Sequence, residues 1–383
     1  MSRQLAGLRV ALVHDWLVTL RGGERVLDAL CELFPDAVVH TLVRKPGIGT
    51  PRIEAMRHAT SFVDRVPFAH RKHRWLLPLY PSAIEAFDLQ GFDLVISSSH
   101  CVAKGVIAGP GAVHVCYCHT PVRYAWDRTD DYVTGSHPAL KLARPLLGAA
   151  ARWLRDWDLR TVPRVDAFVA NSHNTAGKIR AFYGREATVV APPVECERFA
   201  HVQPRGAYDL VLGGLVPYKR VDLAVAAWRA LPERRLVIVG DGPERERLQR
   251  QAPANVEFVG RVEEDALADW YAGARCLVFP GEEDFGIVPL EAQSAGVPVL
   301  AYGRGGALES VVDGKTGVFF HLPTPEALAE AVQKLDRAGI SADDCRRHAR
   351  TFDRSAFLAQ MTAAVESAVA AGAHGARARN GEP

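Results

Sequence analysis

Two glutamates, Glu283 and Glu291, stand eight positions apart in "GEEDFGIVPLEAQSAG", on either side of Phe285-Gly286. The pattern places Glu283 in a loop and Glu291 in the first turns of a helix, with Gly286 letting backbone amides come close to a ligand. Free N–H groups at such a helix start suit a diphosphate, and two flanking carboxylates can accept hydrogen bonds from pairs of hydroxyls. That combination suits a sugar nucleotide. Taken alone, the spacing serves equally well for a solvated loop charge and a glutamate favoured by the helix dipole.

Other stretches carry compatible chemistry. "LVPYKR" offers Lys219 and Arg220 as fixed cations where a departing diphosphate would gain charge, and a cation there stabilises the transition state more than the ground state. Lys219 could also be a solvated residue in a first helical turn. "TLRGGERVLDAL" follows a strand and opens a helix, so Gly22 and Gly23 can bring backbone against phosphate or sugar. "CHTPVRY" ends another strand with His119. "GDGPERER" begins like a dinucleotide fingerprint, but Arg245 occupies the third glycine place, and "DGKTG" lacks the first glycine of a P-loop because Glu309 stands there. The Asp156-Trp157-Asp158 pair in "RDWDLR" lies in a helical pattern, where positions i and i+2 point to different sides. No metal is expected at it, and no cofactor is expected elsewhere.

The elements that must position these residues are short β-branched runs alternating with helical patterns, the signature of parallel α/β units. "LRVALVH", "AVVHTLV", "DLVISSS", "VHVCYCH", "AFVANS" and "TVVAPP" are the expected strands of the first half. The second half restarts at "YDLVLGG" and continues through "LVIVG", "VEFVG", "CLVFP", "VPVLAY" and "GVFF". The count implies two Rossmann-like domains, about 1–200 and 201–355. A helix over 356–371 could pack back on the first domain, and 372–383 read as a frayed tail. In open parallel sheets ligands bind beyond the carboxyl ends of the strands, so the loops after "LVLGG", "LVIVG" and "CLVFP" should line one crevice.

Composition agrees with this class. The 383 residues are 48% hydrophobic and 23% charged, the balance of a globular protein, and the length suits two domains. Seven cysteines are scattered through apolar runs without metal-ligand spacing and read as reduced core thiols of a cytoplasmic protein. "MSRQLAGLRVALVHDWL" is too short and polar for a signal peptide, and no segment is apolar enough to span a bilayer. The net charge of +2 divides into +6 for residues 1–200 and −4 for the rest, which hints that the first half meets an anionic partner. "HRKHRWLLPLY" at 70–80 and the Arg- and Trp-rich helix around 141–163 could seat that half on an anionic membrane surface; a solvated face explains them as well. A nucleic-acid partner is disfavoured by the near-neutral total and the lack of a basic aromatic sheet face.

The run "FPGEEDFGIVPLEAQSAGVPVLAYGRGGALESVVDGKTGVFF" resembles the donor-site signature of retaining glycosyltransferase family 4, whose fold is GT-B, two facing Rossmann-like domains with a cleft between them. "RGGERVLDAL", "VCYCHTPVRYAWD", "LVPYKRVDLAV" and "VIVGDGPERERLQ" match in order, so the resemblance covers nearly the whole chain. It implies that Glu283 contacts donor-sugar hydroxyls, Glu291 the ribose, and His119 the donor sugar at the reaction centre. Gly242 would approach the nucleotide, and Asp284, Phe285, Gly286 and Ile287 would line the donor site. Arg123 and Tyr124 would touch the acceptor. Many relatives carry an arginine where this chain reads Gly213-Gly214, and Arg220 or Arg304 would have to substitute. "HDWL", "RGGE", "HTPVRY" and "EEDFGI" are similar to mannosyltransferases of bacterial surface-polysaccharide assembly. The resemblance therefore implies hexose transfer with retention to a glycan or lipid-linked oligosaccharide, with GDP-mannose as preferred donor. A UDP-sugar donor, and a sugar-nucleotide-binding protein without transfer activity, remain as alternatives.

Overall fold

The computed structural model describes residues 5–122, 126 and 144–379, apart from the side chains of 72, 74, 144–147 and 373–379. The chain divides into two compact units, residues 1–193 with 357–383, and residues 194–356.

The first unit is built on a seven-stranded sheet ordered β3-β2-β1-β4-β5-β6-β7. Its strands are β1 (Val10–His14), β2 (Val38–Thr41), β3 (Arg57–Thr60), β4 (Leu94–Ser99), β5 (Val113–Cys118), β6 (Ala167–Ala170) and β7 (Ala187–Val189). Every pairing is parallel. Alternation divides β1 between two cores: Leu12 joins Ile96, Val115 and Tyr117 on one face, while Ala11 and Val13 join Leu42 and Val95 on the other. The helix Arg354–Arg379 adds Phe357, Met361, Val365 and Ala368 to the first of these cores. It continues past residue 371 because "AAGAHGARAR" is rich in alanine, the strongest helix former.

The second unit carries a six-stranded parallel sheet, β10-β9-β8-β11-β12-β13. Its strands are β8 (Tyr208–Leu212), β9 (Leu236–Val239), β10 (Val256–Gly260), β11 (Ala274–Phe279), β12 (Val299–Tyr302) and β13 (Gly317–Phe320). Val211, Ile238, Val278 and Leu300 bury on one face, and Leu210, Val237, Leu277 and Val299 on the other.

Both sheets reverse their winding direction once, between β1 and β4 in the first and between β8 and β11 in the second. At such a reversal the flanking connections leave to opposite faces and open a crevice at the carboxyl ends of the strands. All seven cysteines are buried and unbridged. Among the described residues, no helix is long and apolar enough to cross a membrane.

Candidate functional site

In the second unit, the loops that follow β8 and β11, the two strands at the reversal, carry the expected charged residues. After β8 the chain passes Gly213 and Gly214 into a single turn, Pro217–Lys219, and then the helix Val221–Ala227. Gly213 and Gly240 both adopt φ near +140°, and a Cβ on Gly240 would run into the Gly213 carbonyl oxygen. Only glycines let the ends of β8 and β9 cross this closely. A Cβ on Gly213 would meet Lys219 Nζ at 3.1 Å, so the glycine also leaves the lysine side chain its path.

Lys219 Nζ lies 2.8 Å from Glu283 Oε1, both side chains being 19% exposed. Glu283 is fixed through its backbone, since its carbonyl accepts from Gly306 N–H at 2.8 Å. Asp284 and Phe285 follow as buried residues, with Phe285 packed on Phe352 at 5.9 Å. Gly286, at φ +89°, caps the helix Ile287–Ser294, and a left-handed residue there lets the chain turn sharply from loop into helix. Glu291, 8% exposed, accepts from the hydroxyl of the fully buried Tyr271 at 3.1 Å. Gly242 follows β9 and donates its N–H to Asp241 Oδ1 at 2.8 Å.

Arg220 is one of two described non-glycine residues with positive φ, at +47°, where it caps the helix Val221–Ala227. Its guanidinium pairs with Asp222 at 3.1 Å and is 41% exposed. Two adjacent residues therefore carry cations, one held by Glu283 and one by Asp222.

In the first unit, the reversal between β1 and β4 gathers a second cluster. Asp15, fully buried just beyond β1, accepts from the backbone N–H groups of His100, Cys101, Val102 and Ala103 at 2.6 to 2.9 Å. Four amide donors and the His100 ring at 3.1 Å compensate the buried carboxylate and tie the loop after β4 to the end of β1. Gly22 and Gly23 open the helix Gly22–Leu33, and Glu24 reaches back to the Arg21 N–H at 2.8 Å, a capping contact. A Cβ on Gly23 would lie 3.6 Å from the His14 ring and 3.8 Å from His119 Nε2. His119 Nε2 meets Ser98 Oγ at 2.8 Å, and the same hydroxyl meets His14 Nδ1 at 3.1 Å. Burial of Glu24 raises its carboxyl pKa; the His14 contact and the charges of His14 and His100 outweigh this and leave it below the ordinary value.

The structure thus brings Gly22, Gly23 and His119 together in one unit, and Lys219, Arg220, Glu283, Asp284, Phe285, Gly286, Ile287 and Glu291 around the reversal of the other. Arg123 and Tyr124 lie outside the described residues. The residues that sequence reasoning passed over are Asp15, His14, Ser98, Glu24 and Tyr271. "HDWL" and "RGGE" signalled the first two and Glu24 only through resemblance; nothing local marked Ser98 or Tyr271.

The helix Arg144–Thr161 needs one correction. Trp157, taken with Trp153 as part of an exposed basic and aromatic face, is 5% exposed and donates its Nε1–H to Glu85 at 2.9 Å. Asp156 is exposed, while Asp158 is buried and meets Lys104 Nζ, the Trp126 Nε1–H and the Tyr183 hydroxyl at 2.8 to 2.9 Å. The two carboxylates serve different sides of the helix and do not converge on a common point.

Residues 20–198 match the family described as Glycosyltransferase Family 4, and residues 197–352 match Glycosyl transferases group 1. The chain is 32% identical over 237 residues to D-inositol 3-phosphate glycosyltransferase 2 of Catenulispora acidiphila, covering 52% of this chain and 56% of that protein. It is also 32% identical over 214 residues to a GDP-mannose-dependent alpha-mannosyltransferase of Mycolicibacterium smegmatis, covering 51% and 56%. The chain spans about half the length of the curated relatives it matches. Anabaena HepE, crystallised with UDP, shares the fold at a TM-score of 0.67 and 16% identity, over 94% of this chain and 100% of that one. With its two halves matched in order and its two parallel-sheet Rossmann-like domains shared with solved relatives, the chain belongs to glycosyltransferase family 4 and has the GT-B class of fold.

Proposed function

We propose that this protein transfers a hexose, with retention of anomeric configuration, from a nucleoside diphosphate sugar to a glycan or lipid-linked oligosaccharide of a surface polysaccharide. GDP-mannose is the preferred donor. The observation that carries the reading is the Lys219–Glu283 pair at 2.8 Å, set at the sheet reversal beside the Gly286 helix start and the buried Glu291. When the glycosidic bond breaks, negative charge builds on the leaving diphosphate. An ammonium already fixed in place stabilises that charge without reorganising, and Glu283 keeps it there until the donor enters. Glu283 then accepts from sugar hydroxyls, while Glu291, oriented by Tyr271, accepts from the ribose. His119 lies beside the donor sugar, and Asp284, Phe285, Ile287 and the Gly242 turn frame the nucleotide.

The choice of GDP-mannose rests on relatives, among them the GDP-mannose-dependent enzyme of Mycolicibacterium smegmatis, and a UDP-sugar is the competing donor. Gly214, standing where many relatives have an arginine, favours a second reading, a sugar-nucleotide binder without transfer activity. Incubation with GDP-mannose and a panel of UDP-sugars against lipid-linked oligosaccharides tests both. A glycosylated product supports transfer; donor binding without any product favours the binder.

The lipid-linked acceptor implies that the protein works as a peripheral protein on the cytoplasmic face of a membrane. Residues 62–79 support this: Phe62, Phe68, Trp75 and Leu79 are 47%, 70%, 81% and 42% exposed, interspersed with the exposed Arg65, His70 and Arg71. Phe68 holds a φ of +63°, a conformation that costs energy for an aromatic residue and turns its ring outward. Aromatic rings with interleaved cations suit the interface of an anionic bilayer.

A further inference from the structure

The cations at the sheet reversal of the second unit are already matched by carboxylates. Lys219 lies 2.8 Å from Glu283, and Arg220 lies 3.1 Å from Asp222. The loop after β11 adds Glu282 and Asp284, so acidic side chains outnumber basic ones on these two loops. A nucleoside diphosphate brings further negative charge and calls for a cation that no carboxylate holds.

The loop after β12, "GRGG" at 303–306, supplies one. It lies against the loop after β11, where Gly306 N–H donates to the Glu283 carbonyl at 2.8 Å. A Cβ on Gly305 would lie 2.5 Å from that same carbonyl oxygen, and one on Gly306 would run into the backbone of Asp284 and Phe285. A Cβ on Gly303 would lie 2.7 Å from His321 Nδ1. Three of the four residues are thus glycine because the protein packs closely against them, and the one side chain the loop carries is Arg304. Its backbone is fixed, its N–H donating to Tyr302 O at 2.7 Å. Arg304 is exposed, and among the described residues its guanidinium has no hydrogen bond, ion pair or ring contact.

We infer that Arg304 is the cation that receives the β-phosphate of the donor, beside the Lys219–Glu283 pair. The inference rests on the proposed function for a nucleoside diphosphate sugar as the ligand, and adds the residue that recognises its distal phosphate. β12 is the neighbour of β11 in the sheet, so its carboxyl end opens on the same crevice. The Arg304 loop touches the backbone of Glu283, the glutamate assigned to the sugar, which puts the charge at the sugar end of the diphosphate. An arginine presents a planar fork of donors that fits phosphate oxygens bidentately. Lys219 must release Glu283 to meet the ligand, whereas Arg304 gives up only water. Arg261, after β10, is also exposed and has no such contact among the described residues, but β10 is the edge of the sheet, three strands from β11.

Calorimetry of the full-length protein with GDP, UDP and their monophosphates tests this. Arg304→Gln alters an exposed side chain, so the melting temperature should hold. It should weaken the nucleoside diphosphate that the wild type binds about 10-fold at low salt, the scale of one lost charge-assisted hydrogen bond, and the corresponding monophosphate by no more than about twofold. Arg304→Lys, which keeps the charge, should recover most of the loss, and Arg261→Gln should leave both affinities within about twofold of wild type. Unchanged diphosphate affinity in Arg304→Gln, equal weakening of diphosphate and monophosphate, or an equal loss in Arg261→Gln overturns the assignment. The expected pattern in a protein that forms no glycosylated product supports Arg304 and counts against transfer instead. A wild type that binds neither GDP nor UDP overturns both.

Discussion

Lys219 and Glu283 approach to 2.8 Å although they follow different strands, β8 and β11, and lie 64 positions apart in the sequence. The reversal of winding in the sheet makes them neighbours, because it places the carboxyl ends of these two strands side by side. A partly exposed ion pair contributes little to stability, of the order of 0–1 kcal/mol. Its value is that each charge is preorganised for a ligand that would displace the other.

Arg220 occupies a backbone conformation that glycine adopts without cost. Replacing it by glycine removes strain of about 1–2 kcal/mol, partly offset by the greater freedom of glycine in the unfolded chain. Arg220→Gly should therefore leave the melting temperature unchanged or raise it. If the arginine stands in for the missing cation at Gly214, the same variant should lower kcat/KM about 10-fold. Wild-type turnover in Arg220→Gly would remove it from the account.

The two glutamates should separate in binding experiments. Glu291→Gln should weaken the bare nucleoside diphosphate in calorimetry, and Tyr271→Phe should do so by about fivefold through loss of the hydrogen bond that orients Glu291. Glu283→Gln should spare diphosphate binding and slow transfer. Equal weakening by Glu283→Gln and Glu291→Gln would contradict the division between sugar and ribose.

His114 gives the first unit a pH dependence. Burial, against weaker opposing contacts from the Arg164 carbonyl and Asp166, lowers its pKa to about 4; its ring lies 2.8 Å from Ser97 Oγ and 2.9 Å from Arg164 O. The unfolded chain binds a proton near pH 6.5 and the folded one does not until about 4, so stability falls as pH drops through that window, by up to about 3 kcal/mol. Thermal melts from pH 7 to 4.5 should show the decline, and His114→Gln should flatten it. An unchanged slope in His114→Gln would place the acid sensitivity elsewhere.

Vesicles test the exposed segment 62–79. Those containing anionic lipid should retain the protein at low salt and release it as salt screens the charge, while neutral vesicles should not. Phe68→Ser with Trp75→Ser should reduce retention at least fivefold. Equal retention by anionic and neutral vesicles would contradict an electrostatic contribution.

Strands with apolar runs were legible in the sequence, and all twelve named from those runs are present. β3 was not, because "RHAT" at the sheet edge is half exposed and carries no apolar alternation. The tail past 371 read as frayed because its glycines and arginines masked the alanine content. Lys219, Glu283 and His119 could be named from motif and resemblance. Their supports could not: Ser98 and Tyr271 lie 21 and 20 positions from the residues they touch, and a hydroxyl within an ordinary strand or helix gives no local signal. Arg220 could be suspected as a cation, but its left-handed backbone and its hold on Asp222 depend on the turn geometry.

The central claim is that fixed cations and helix amides, led by Lys219, carry the charge of the leaving diphosphate without a divalent ion. Its most direct test is kcat/KM for transfer from GDP-mannose by wild type and Lys219→Ala, each with excess EDTA and with added manganese. The account expects wild-type transfer to survive EDTA and Lys219→Ala to lose about 100-fold or more under both conditions. Wild-type transfer abolished by EDTA and restored by manganese, or a folded Lys219→Ala with wild-type turnover, would contradict it.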